Sequence, residues 1–167
     1  MGGYVALELA RQAPERVARL ALLNTNARPD SPESTENRKR LMALAEKDFP
    51  AVIATLMPKL VTAEHLKDLD ITATIGEMAL AIGKEAFARQ QRAIMGRIDS
   101  RPHLARIRCP TLVLAAREDA IMPLDLLEEL ARGIPRATLA IVEDSGHVAS
   151  LEQPERVTSL LRAWLEA

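Results

Sequence analysis

Two short apolar runs near the C-terminus constrain this chain more than any other feature. Thr111–Ala116 and Ala137–Val142 are each the length of a strand, and each leads through a loop into a helical pattern. The first helix covers Leu124–Arg132 and closes at Gly133. The second, Glu155–Leu165, comes after Pro154 and carries Val157, Leu160, Leu161, Trp164 and Leu165. Strand, helix, strand, helix with short loops predicts a parallel sheet with right-handed crossovers. Open sheets of that kind place their ligands beyond the carboxyl ends of the strands. Both loops at that end carry reactive side chains: Arg117-Glu118-Asp119 after the first run, and Glu143-Asp144-Ser145-Gly146-His147 after the second. An acid and a histidine leaving neighbouring strands at one end is the arrangement a general base and its orienting group require.

Upstream, Gly2–Ala13 reads as a helix stopped by Pro14, and Arg16–Asn24 as a buried parallel strand, although its Ala and Leu content also fits a helix. From Ala27 to Leu104 the pattern changes. A loop with Pro29, Ser31, Pro32 and Ser34 precedes helical patterns at Thr35–Lys47, Phe49–Met57, Ala63–Leu69, Thr72–Ile82 and Glu85–Ile98. Pro50 and Pro58 punctuate them, and Gly76, Gly83 and Gly96 weaken or end them. Nothing there alternates at period two. The expected organisation is therefore an α/β core formed by 1–26 and 105–167, interrupted by an all-helical cap or lid over 27–104. Met42, Met57, Met78 and Met95 fall on apolar helix faces and read as core filler, with the lining of an apolar substrate pocket as the alternative.

Charge excludes some partners. Lys+Arg total 22 against 23 Asp+Glu, a net charge of -1, which argues against nucleic acid and anionic membranes as partners. No apolar run reaches the roughly 20 residues of a membrane helix, and Glu8 interrupts the N-terminal apolar stretch. The single Cys109 cannot form an internal disulfide and reads as a buried structural thiol, so a reducing cytoplasm is the expected compartment. There is no phosphate-binding glycine loop. His65 and His103 lack ligand partners at metal spacing, so no cofactor and no metal is expected.

The runs Cys109-Pro110-Thr111-Leu112-Val113-Leu114 leading to Asp119 and Pro123, and Ser145-Gly146-His147 leading to Glu152-Gln153-Pro154, resemble the C-terminal half of an α/β-hydrolase. The order acid then histidine agrees with that superfamily. Met1-Gly2-Gly3-Tyr4-Val5-Ala6 is similar to the residues just after the nucleophile in the G-x-S-x-G elbow, with Gly2 as the last glycine. Gln91–Pro102 resembles the segment that joins the lid back to the sheet in esterase-like and enol-lactonase-like members. The resemblance implies a partial α/β-hydrolase fold of about three parallel strands, flanking helices and a helical lid. It covers essentially the whole chain.

The chemistry implied by the resemblance is specific. His147 would be the general base and Asp119 the carboxylate that fixes its tautomer. The backbone N–H of Met1 would be one oxyanion-hole donor, and the nucleophilic serine would precede Met1. None of Ser31, Ser34, Ser100, Ser145, Ser150 and Ser159 lies in a G-x-S-x-G setting. The family would act on a small ester, lactone or related carbonyl compound, with this chain alone inactive. The competing expectation is a non-catalytic remnant or small-molecule binding module that keeps the lid pocket. On residue type alone His147 could be a loop histidine bonded to backbone, and Asp119 a helix-start carboxylate ahead of Pro123. Glu118 and Asp144 stand close enough in sequence to be confused with it, and Ala116 replaces the family's usual glycine. The strand around Ala18–Leu23 would form an uncovered sheet edge, which invites self-association.

Overall fold

The computed structural model describes residues 1–167. Three parallel strands form the sheet in the order β1 (Leu20–Leu23), β2 (Thr111–Ala116) and β3 (Ala137–Val142). Leu20 pairs with Thr111, and Thr111 pairs with Ala137, so the three strands start level and their carboxyl ends share one rim. β2 is buried along its whole length because it is central, which explains its unbroken apolar run. β1 pairs only with β2 and forms one edge of the sheet.

Helices cover both faces. On one, α1 (Gly2–Gln12) and α5 (Leu124–Gly133) bring Leu7, Ala10, Leu127 and Leu130 against Leu22, Val113 and Ala115. On the other, α7 (Pro154–Glu166) places Val157, Leu160 and Leu161 against Leu114, Ala116 and Val142. Between β1 and β2 run three helices: α2 (Pro32–Lys47), α3 (Phe49–Leu60) and α4 (Leu69–Met95). A single turn, α6 (Ala149–Glu152), precedes α7. Ser31 caps α2 and Asp48 caps α3 through side-chain oxygens that accept from Ser34 N and Ala51 N. No helix is long and apolar enough to cross a membrane.

Several sequence expectations are corrected. The strand expected over Arg16–Asn24 is shorter, because ladder pairing begins only at Leu20, whose N–H donates to Pro110 O, and ends where Asn24 turns to φ 47°. Pro58 does not end its helix; α3 runs on to Leu60, losing only the hydrogen bond that proline cannot donate. The helix expected over Ala63–Leu69 is only a 3-10 turn, His65–Lys67. Asp68 turns out of it and caps α4 through Asp70 N and Ile71 N. The two patterns Thr72–Ile82 and Glu85–Ile98 belong to one run ending at Met95 and bent at Gly83, whose φ of 76° suits glycine. Met42, Met57 and Met95 are only half-buried and Met78 is 57% exposed, so none is core filler. The buried methionine is Met122. Cys109 is half-buried, because it lies in the turn ahead of β2 and outside the strand.

Candidate active site

Asp119 and His147 meet at the carboxyl rim of the sheet. Both loops are tied to each other before either side chain is considered: Arg117 N donates to Val142 O, and Glu118 N donates to Ser145 O. Within that frame His147 Nδ1 lies 2.8 Å from Asp119 Oδ2. The Asp119 side chain is fully buried and that of His147 is 25% exposed. Glu118 and Asp144 are exposed, and neither is hydrogen-bonded to His147.

Every lone-pair direction of the Asp119 carboxylate is used. Oδ1 accepts from Ile121 N and Met122 N, each at 2.8 Å. Oδ2 accepts from His147 and, at 2.9 Å, from Asn24 Nδ2, which also donates to Gly146 O. Burial pushes the Asp119 carboxyl up. The His147 hydrogen bond and charge, the Asn24 amide and the Met122 N–H together outweigh it and hold the group below its ordinary value. An ionised carboxylate can only accept, so Nδ1 carries the proton and Nε2 is left as the basic nitrogen of the neutral ring. Nε2 has no hydrogen-bond partner within the protein.

Asn24 is the residue that sequence reasoning missed. Its signal was present: it closes the apolar run of β1 at the same rim as Asp119 and His147. It is buried, and its positive φ turns the amide inward.

A second buried carboxylate holds the histidine loop. Glu152 Oε2 accepts from Gly146 N at 2.8 Å. Its Oε1 accepts from Thr62 N at 2.8 Å and lies 3.1 Å from His65 Nδ1. His65, which by its spacing offered no metal-ligand partner, thus joins the end of α3 to the His147 loop. Val148 N donates to Leu60 O, and a Cβ on Gly146 would stand 3.1 Å from the backbone of Leu60 and Val61. Glycine at 146 is what lets the helical segment close on this loop.

Met1 sits at the N-terminal end of α1. A cavity of about 240 Å³ lies between that end and His147, lined also by Asn24 and Ser150. A larger one, about 530 Å³, opens from His147 between the rim and the helical segment. Ser31 and Ser34 line the larger cavity, but no serine hydroxyl is hydrogen-bonded to His147. No group of three or more His, Cys, Asp or Glu side chains stands together in a way that could hold a metal ion.

Known proteins resemble this chain over nearly all of it. An esterase structure from Thermogutta terrifontis superposes with a TM-score of 0.92 at 38% identity, covering 99% of this chain and 61% of the esterase. The enol-lactonase from Burkholderia xenovorans gives 0.90 at 28% identity, covering 100% and 63%. A protein of Azorhizobium caulinodans provisionally named as the carbamate hydrolase RutD is 33% identical over 165 residues, 96% of this chain and 62% of that one. The chain therefore spans a little over three fifths of the length of these relatives. Residues 1–154 match the family described as alpha/beta hydrolase fold, and the chain belongs to it.

Proposed function

We propose that residues 1–167 supply the base and the orienting acid of a Ser-His-Asp hydrolase acting on a small ester, lactone or related carbonyl substrate. The observation that carries this is the 2.8 Å Asp119–His147 bond at a cavity mouth, with Nε2 unpartnered. In this reading His147 takes the proton of a serine hydroxyl and returns it to the leaving group. Asp119 fixes the ring and stabilises the imidazolium that forms. The serine precedes Met1, and the Met1 N–H is one donor to the oxyanion. The segment 27–104 acts as the lid over the larger cavity. The relatives named as esterase, enol-lactonase and carbamate hydrolase support acyl transfer to water as the reaction class.

The test is ester turnover. Residues 1–167 alone are expected to show no hydrolysis of a chromogenic short-chain ester that depends on His147. A chimera that places the N-terminal segment of the Thermogutta terrifontis esterase ahead of Met1 is expected to turn it over. Hydrolysis by residues 1–167 that disappears on His147→Ala would contradict the placement of the nucleophile. A folded but inactive chimera would contradict the hydrolase reading.

The unpaired edge of β1 supports a second, smaller proposal, self-association of residues 1–167 through that edge. Sedimentation should show a mass that grows with concentration; a concentration-independent monomer would exclude it.

A further inference from the structure

The larger cavity beside His147 concentrates positive charge in a chain that has none to spare. The whole sequence carries a net charge of -1, yet Arg28, Arg38, Lys59 and Arg97 line this cavity against one acid, Asp30. Like charges gathered around one cavity repel each other, so each needs a partner. Arg28 has one, pairing with Glu129 at 2.8 Å.

Arg38 and Arg97 share theirs. The side chain of Asp30 is 2% exposed; it accepts from Arg38 Nε at 2.8 Å on one oxygen and from Arg97 Nη1 at 2.7 Å on the other. One carboxylate thus faces two guanidinium groups, and one positive charge is left uncompensated. Burial raises the Asp30 carboxyl, and the hydrogen bonds and charges of the two arginines more than reverse it, so it stays ionised.

Both arginines are held rigidly. Arg38 Nη1 donates to Gln91 Oε1 at 2.8 Å. Arg97 donates from Nε to Arg28 O and from Nη1 to Ile94 O, each at 2.9 Å, and its guanidinium lies 4.3 Å from the centroid of the Tyr4 ring. Neither Nη2 makes a hydrogen bond within the protein, and neither is sealed from solvent. A single arginine would satisfy Asp30. A second one, only 12% exposed, adds a desolvated charge without a further acid, which is unfavourable unless an anion completes it. Lys59, which lines the same cavity, makes no ion pair.

The pair shares its cavity with the candidate base, since His147 also lines it. Met1 lines this cavity and the smaller one with His147.

We propose that this cavity selects an anionic substrate, an ester, lactone or carbamate that bears a carboxylate seated on the Nη2 edges of Arg38 and Arg97, with Lys59 adding attraction from elsewhere in the lining. The carboxylate site stands on the cavity geometry; calling its occupant a substrate rests on the hydrolase reading above. A planar guanidinium edge suits a carboxylate, and two such edges held by fixed partners lose little freedom on binding.

The experiment is a titration of residues 1–167, monitored by calorimetry and NMR, with monomethyl adipate and with its neutral counterpart dimethyl adipate. The half-ester should bind about tenfold more tightly at low salt, with Arg38 and Arg97 Nε resonances shifting and the advantage shrinking as salt is added. Arg38→Gln should erase most of the advantage. Because that change also touches the Asp30 anchor, Lys59→Gln, which removes no side-chain hydrogen bond or ion pair within the protein, provides a second arm and should reduce the advantage by roughly twofold. Equal affinity for the two esters, or an advantage untouched by both substitutions, would overturn the proposal. A chimera that hydrolyses both esters equally well sinks only the anion site. An inactive chimera with the binding preference intact sinks only the hydrolase reading.

Discussion

The molecule holds two carboxylate–imidazole pairs, and they differ in what stands beside the ring. In each, a fully buried carboxylate meets Nδ1 of a histidine that is 25% exposed at His147 and 20% exposed at His65. His65 Nδ1 also lies 3.1 Å from Thr62 Oγ1, and Glu152 divides itself among Thr62 N, His65 and Gly146 N. That pair staples the end of α3 to the histidine loop. Asp119 instead gathers its donors from its own loop and from Asn24. It presents His147 at two cavities with Nε2 unpartnered. An Asp–His or Glu–His contact therefore says little by itself. Nε2 is without a protein partner in both rings, so the cavity beside His147 is what separates a candidate base from a structural tie.

Substitutions can break this contrast. The largest expected effect is on turnover in the elongated chimera. His147→Gln should lower kcat by at least about 10⁴-fold, while His65→Gln should stay within about tenfold. Comparable losses at both would mean that the two pairs are not different in kind.

Next comes stability. Glu152→Gln turns an amino group toward an N–H that the carboxylate accepted from, leaving a buried donor unpaired, and should cost about 2 kcal/mol in urea unfolding. Gly146 and Thr62 amides should exchange faster together in that variant. Protection unchanged at both would show that the staple is not what holds the loop.

A smaller effect is expected in acid. The Asp119 carboxyl titrates below its ordinary value of 3.8 in the folded chain. Its contribution to stability is therefore fully present above pH about 4 and is lost as pH falls through the lower, folded value. Asp119→Asn should be less stable than the wild type at neutral pH, with the gap closing in the acid range. A gap that widens as pH falls would reverse the sign assigned here.

The architecture was legible because its cause is local. β2 and β3 announce themselves as short apolar runs bounded by loops and succeeded by amphipathic helices, and parallel pairing results from the crossover. Asp119 and His147 were legible for the same reason, since both lie just past strand ends. The features that escaped depended on pairing across distance. Asn24 gains its meaning from a side chain 95 positions away, and Glu152 from Thr62 and His65, 90 and 87 positions away. The bend at Gly83 and the continuation of α3 through Pro58 are cases where helix punctuation was visible but its outcome was set by packing. The methionines show the limit of periodicity. Apolar spacing placed Met78 on a helix face without revealing that the face is open to solvent.

Every role given to the site depends on Asp119 fixing His147 with the proton on Nδ1 and leaving Nε2 as the base. Nitrogen-15 NMR of the imidazole rings in residues 1–167, recorded on the alkaline side of the ring's own titration, reads this state at the ring itself. The expected spectrum has a protonated Nδ1 and an unprotonated Nε2 at His147, with that preference lost in Asp119→Asn. A His147 ring protonated on Nε2, or one indifferent to Asp119→Asn, would refute it.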